Sequence, residues 1–179
     1  MKISIIGGGS WGTTLGQVLV DNKHEVLVYD INPKAVESIN NNIHPFFNLS
    51  IENIKATNSL EEALNYSDLL VLAVPTKVMR ETLVKINELS TKPLSFINVS
   101  KGIEPETLLR VSEIVDQVIE PSKLKNYAAL TGPSHAEEVI ERKLTALTAA
   151  STNLEFAKLV QELFSNQDYA YTGLNLGVN

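Results

Sequence analysis

Short, strongly apolar runs alternate along this chain with stretches in which apolar residues recur every three or four positions. The runs near residues 3–6, 24–29, 69–74, 94–99, 127–130 and 145–150 predict strands, and residues 169–172 a last short one. Leu69-Leu70-Val71-Leu72-Ala73-Val74 has no polar alternation, which predicts a central parallel strand covered on both faces and stopped at Pro75. Helices are predicted over residues 13–21, 33–41, 60–66, 76–88, 105–118, 135–142 and 154–164. Val78, Met79, Leu83 and Ile86 share one face of the fourth, and Leu108, Val111, Ile114, Val115 and Val118 one face of the fifth. The punctuation agrees: Asn32 precedes Pro33 as a cap before a first-turn proline, and Ser59 precedes Glu61 and Glu62. Residues 42–48 are polar and Asn-rich, a loop, and no strand is assigned between them and Ser59. Strands alternating with helices at this spacing predict an α/β fold with a doubly wound, mostly parallel sheet.

In such sheets ligands sit beyond the carboxyl ends of the strands. Five segments follow strands and are expected on that one edge: Gly7 to Gly12, Asp30, Val74-Pro75-Thr76, Ser100-Lys101-Gly102 and Gly132-Pro133-Ser134. The first has the spacing G-x-G-x-x-G, directly between a strand and a helix. Gly7 suits a tight turn, Gly9 a close approach of the main chain to a pyrophosphate, and Gly12 close packing of helix on strand. The helix start offers free N–H groups and a positive dipole end to the anion. The next strand ends in Asp30, 18 residues past Gly12, near the ~20 at which a carboxylate meets an adenosine ribose. An acid there favours NAD over NADP by repelling a 2′-phosphate. Asp30 also suits the simpler job of opening the turn Asp30-Ile31-Asn32-Pro33.

Composition narrows the alternatives. At 179 residues, 44% hydrophobic and 20% charged, the chain fits one soluble globular domain, with room for a fragment of a second. A net charge of −6 disfavours non-specific nucleic-acid binding. With no cysteine there is no disulfide, thiolate metal site or cysteine nucleophile. The apolar start is too short for a signal peptide or membrane span, so the expected compartment is the cytoplasm.

Among ionisable residues Lys101 stands out, because it follows a buried strand and precedes a glycine. A cation projecting there could hold an anionic substrate or stabilise a developing alkoxide. Ser134 either caps the helix that follows, with Glu137 completing a capping box, or meets a ligand oxygen with the free N–H groups around it. Trp11 could wall a cofactor or simply pack helix on sheet. His24, His44 and His135 have no metal-ligand spacing, and surface or turn roles are expected for them.

Taken together, Gly7-Gly8-Gly9-Ser10-Trp11-Gly12-Thr13, His24-Glu25-Val26, Val74-Pro75, Ser100-Lys101-Gly102-Ile103-Glu104 and Gly132-Pro133-Ser134-His135-Ala136-Glu137-Glu138 resemble the NAD(P)-dependent glycerol-3-phosphate dehydrogenases of the bacterial type, from the first residue to about Thr172. The resemblance implies a Rossmann-type NAD(P)-binding domain over residues 1–172. It also implies reversible reduction of dihydroxyacetone phosphate to sn-glycerol 3-phosphate for glycerophospholipid synthesis. By the same resemblance Ser10, Trp11 and Ala136 are cofactor contacts, Lys101 touches both cofactor and substrate, and Gly132 and Ser134 are substrate contacts; the glycine turn adds Gly7, Gly9 and Gly12 to the expected cofactor site, the ends of two strands add Asp30 and Pro75, and no metal is expected. Asp30-Ile31 departs from the basic or small residues common there, and His135 replaces a frequent phenylalanine. Family members continue into a helical substrate domain that supplies a second lysine for proton transfer, and the full-length protein is expected to be a homodimer. Residues 173–179 resemble the start of that domain, so the expectation is a cofactor-binding half that is inactive alone. The alternative is a stand-alone dinucleotide-binding or redox-sensing module.

Overall fold

The computed structural model describes residues 1–143 and 145–165. The elements are β1 (Lys2–Ile6), α1 (Ser10–Asp21), β2 (Glu25–Tyr29), α2 (Pro33–Asn40), β3 (Ile54–Thr57), α3 (Leu60–Tyr66), β4 (Leu69–Leu72), α4 (Thr76–Leu89), β5 (Leu94–Asn98), α5 (Val111–Val118), β6 (Leu124–Thr131), α6 (Ala136–Ile140), β7 (Thr148–Ala150) and α7 (Leu154–Phe164). Among the described residues the strands form one seven-stranded sheet in the order β3-β2-β1-β4-β5-β6-β7. All neighbours are parallel except β6 and β7.

The unalternating apolar run of β4 is explained by the layers on either side. Leu69 and Val71 belong to a core shared with α1, α6 and α7, whereas Leu70 and Leu72 belong to one shared with α3, α4 and α5. The same division splits Ile3 and Ile5 from Ile6 in β1, and Ile97 from Phe96 in β5. Every side chain of β4 is therefore buried, as expected for a strand covered on both faces. Because β1 pairs with β2 on one side and with β4 on the other, the connections after β1 and β4 depart in opposite directions. The crevice this leaves lies at the carboxyl end of the sheet. Among the described residues no helix is long and apolar enough to cross a membrane.

The structure corrects the sequence reading in several places. Ile54-Lys55-Ala56-Thr57 forms an edge strand in register with Val26 to Tyr29, although no strand was expected there. Only Ile54 of the four is buried, so the segment lacks the apolar pattern that announces a strand. The helix expected over 105–118 begins at Val111. Residues 105–107 form a turn and 108–110 an irregular stretch instead, with Glu106 at φ 71° and Leu108 at φ 58°, and Leu108 is 69% exposed. The strand expected over 145–150 shortens to Thr148–Ala150 and runs antiparallel. The strand expected at 169–172, and the domain boundary after 172, lie outside the described residues.

Candidate functional site

The glycine turn is built by contacts that leave no room for side chains at two of its positions. Gly7 adopts φ +113°, and its N–H donates to Tyr29 O at 2.8 Å. A Cβ on Gly12 would stand 1.9 Å from Gly7 O. Gly9 is different: a Cβ there would meet nothing within 4 Å. Gly9 is also the N-cap of α1, and no side chain caps the helix. The first turn of α1 therefore opens on free space, with Gly9, Ser10 and Trp11 on the wall of a crevice of about 430 Å³. Pro75, Lys101, Ser134, His135 and Ala136 line the same crevice.

Asp30 directly follows β2, beside this turn. Its Oδ2 accepts from Gly8 N at 2.6 Å and its Oδ1 from Asn32 N at 2.8 Å. The carboxylate thus braces the glycine turn and opens the turn into α2, which Asn32 caps by accepting from Lys34 N.

Lys101 lies past the end of β5. Its Nζ donates to Ser134 O at 2.6 Å and stands 5.7 Å from the centroid of the Trp11 ring, within cation–π range. Ser100, which sequence reasoning did not single out by itself, donates from Oγ to Val74 O at 2.6 Å. The loops after β4, β5 and β6 are thereby tied to one another and to the start of α1. A second cavity of about 700 Å³ adjoins the crevice, with Gly132, Tyr127 and Arg110 on its walls. Trp11, Val99, Ser100, Lys101 and Ser134 border both spaces. Gly132 is hemmed in, since a Cβ there would lie 2.4 Å from Ala146 O. In the second cavity burial pushes the Tyr127 phenol well above its ordinary pKa, keeping it protonated.

Ser134 departs from the capping reading. The N-cap of α6 is His135, with no side-chain cap bond. Ser134 is 2% exposed, and its Oγ has no hydrogen-bond partner. A buried hydroxyl without a partner is rare, and here it borders both cavities. With the open cradle at Gly9, it is the feature that fits a ligand missing from the protein alone.

The histidines separate. His135 is exposed on the crevice wall, and His24 lies 3.3 Å from the N-terminal amine. His44 closes a turn, but from inside, at 1% exposure. Its Nδ1 accepts from Phe46 N and Phe47 N, which leaves the proton on Nε2, 3.2 Å from both Ser10 O and Thr14 Oγ1. Burial lowers its pKa, partly opposed by the Ser10 carbonyl. His44 thus ties the 43–50 loop to the start of α1, a link no local pattern announces. Among the described residues no group of three or more acidic or histidine side chains could hold a metal ion.

A parallel sheet with a glycine turn after its first strand, an acid ending its second and a crevice at their switch point defines a dinucleotide-binding α/β domain. More narrowly, the chain belongs to the family described as NAD-dependent glycerol-3-phosphate dehydrogenase N-terminus, which matches residues 2–157. It is 67% identical over 169 residues to a protein of Acholeplasma laidlawii named glycerol-3-phosphate dehydrogenase, NAD(P)+, covering 94% of this chain and 51% of that protein. A Phytoplasma australiense protein of the same name is 60% identical over 178 residues, covering 98% of this chain and 54% of the relative. The chain therefore spans about half the length of the curated relatives it matches. A solved glycerol-3-phosphate dehydrogenase from Coxiella burnetii shares the fold, with a TM-score of 0.86 at 24% identity over 97% of this chain and 53% of that one.

Proposed function

We propose that this chain is the cofactor-binding half of an sn-glycerol-3-phosphate dehydrogenase. Joined to a helical half, it would interconvert dihydroxyacetone phosphate and sn-glycerol 3-phosphate in the cytoplasm, for glycerophospholipid synthesis. The observation that carries the proposal is the shared wall: Lys101 and the unpartnered Ser134 border both the crevice beside the glycine turn and the larger cavity. Such a wall suits a cofactor on one side and a small phosphorylated substrate on the other.

NAD(P)H, when bound, supplies the hydride. The uncapped start of α1 and the space at Gly9 would hold its pyrophosphate. Trp11, Pro75 and Ala136 would flank it in the crevice. Lys101 would place positive charge beside the substrate oxygen on which negative charge develops. Gly132 and Ser134 would contact the substrate, the Ser134 hydroxyl gaining the partner it lacks. Proton transfer to the oxygen is assigned to a lysine of the helical half, so this chain alone is expected to bind cofactor without turnover.

Asp30 is proposed to select NAD over NADP. Its carboxylate is fixed by two backbone N–H groups, so its charge cannot swing away from an incoming 2′-phosphate. Calorimetric titration with NADH and NADPH tests both readings. NADH is expected to bind at least about tenfold more tightly, a difference of about 1.4 kcal/mol, and Asp30→Ala should narrow the gap. Failure of both nucleotides to bind would end the dehydrogenase reading, and an unchanged ratio in the variant would end the role of Asp30.

A further inference from the structure

Lys101 is the third residue of a twelve-residue connection without regular structure, residues 99–110, running from the end of β5 to the start of α5. Three of its residues adopt positive φ: Gly102 at 98°, Glu106 at 71° and Leu108 at 58°. Of residues 101–110 a single one, Glu104, is buried, at 8% exposure. A burial of that kind for a carboxylate demands partners, and the charged one comes from elsewhere in the fold. Arg80 of α4 grips it with both arms, Nε to Oε1 at 2.8 Å and Nη2 to Oε2 at 2.8 Å. The Thr107 hydroxyl donates to the same carboxylate, and Arg80 Nη2 also donates to Gln117 of α5 at 3.1 Å. The connection is thus pinned at Glu104 to the helix that begins at Pro75-Thr76, the neighbouring loop of the crevice. Gly102, between pin and lysine, lies against that loop: a Cβ on it would be 3.9 Å from Thr76 Oγ1.

We infer that Arg80 and Glu104 are a positioning pair that sets where the Lys101 ammonium stands. Neither touches the crevice. Glu104 lies three residues from Lys101, and the forked guanidinium fixes the carboxylate in orientation as well as distance. Without the fork, the exposed connection keeps its own backbone bonds, Glu104 N to Leu109 O at 2.8 Å and Leu108 N to Glu104 O at 3.0 Å, but loses its side-chain tie to α4, and the ammonium is free to leave Ser134 O and the Trp11 ring. The inference deepens the proposed function, because it rests on Lys101 acting in the crevice.

The chain's single tryptophan makes the test direct. Trp11 emission without ligand is compared in wild type, Lys101→Met, Arg80→Lys, Glu104→Gln and the swapped pair Arg80→Glu with Glu104→Arg. Each variant is measured well below its melting temperature, with circular dichroism to verify folding. Lys101→Met should shift the emission, Arg80→Lys and Glu104→Gln should reproduce most of that shift, and the swapped pair should restore part of it. Thr107→Val, which removes one donor and leaves both charges, should give a smaller shift in a chain that folds readily. A purely architectural pair would lower the melting temperature yet leave the emission of the folded chain unmoved, and that result overturns the inference. So does a Lys101→Met spectrum identical to wild type. NADH titration of the wild-type chain runs in parallel. Its failure would count against the proposed function alone, because the emission comparison needs no cofactor.

Discussion

Two glycines three residues apart in the same turn should respond to alanine in opposite ways. At Gly12 the new methyl would lie 1.9 Å from the Gly7 carbonyl oxygen, far inside contact distance and against backbone rather than a flexible side chain. Gly7 cannot yield easily. Its own space is closed by Ala73 O at 2.8 Å, and its N–H is committed to Tyr29 O. Helix α1 must therefore lift from β1, and overpacking of this kind costs roughly 1–3 kcal/mol, occasionally more. For a chain of this size each kcal/mol corresponds to about 2–4 °C in melting temperature, so a cost of about 1–3 kcal/mol means that Gly12→Ala should melt about 2–12 °C lower. At Gly9 the methyl meets nothing within 4 Å, and the backbone, at φ −71°, is one that alanine adopts freely. Fold stability there should be unchanged or raised by about 0.5 kcal/mol, through the smaller entropy of the unfolded chain. Yet the methyl occupies the space in which a pyrophosphate would meet the first N–H groups of α1, so NADH affinity should fall at least about tenfold. Thermal melts by circular dichroism and calorimetric NADH titrations on both variants decide the matter. A Gly9→Ala chain that binds NADH like wild type would refute the placement of the diphosphate. A Gly12→Ala chain that melts like wild type would refute the packing argument.

Two further outcomes rest on buried polar groups. Removing the unpartnered hydroxyl by Ser134→Ala should stabilise the chain by about 1 kcal/mol, the cost of a buried unsatisfied group, and so raise the melting temperature; an unchanged or lower value would mean that Oγ has a partner in solution. His44 is held neutral by burial, with its Nδ1 accepting from two backbone N–H groups. Its folded-state pKa lies below its unfolded value, so its contribution is complete above about pH 6.5 and is lost as pH falls below that, because the unfolded chain takes up the proton first. The urea midpoint should drop between pH 7 and pH 5, and His44→Gln should flatten part of that drop. An equal drop in the variant would remove His44 as its source and leave it to His24, whose pKa is lowered as well.

The parts of this molecule visible in its sequence are those set by local period. The two-sided burial of Leu69 to Leu72 follows from an apolar run with no alternation, and the placement of five loops on one edge follows from strands alternating with helices. What escaped were pairings between residues far apart in the chain, which leave no period to detect. His44 reads as one polar residue in a polar loop, and its burial depends on Ser10 and Thr14, 34 and 30 residues earlier. Glu104 could be seen as part of the Lys101 motif, but its partner lies 24 residues upstream on a helix face otherwise explained by the core. On the crevice wall, Gly9, Ser10, Trp11, Pro75, Lys101, Ser134 and Ala136 could be picked out from the sequence, whereas Phe46 on the same wall and the residues that hold those loops in place could not. That division has a physical cause. Glycine turns and strand-end lysines recur because ligand chemistry demands particular residues at particular steps along the backbone. A loop can be anchored by any acid or base that the fold brings within reach, so the anchors follow from the tertiary structure rather than from the local pattern.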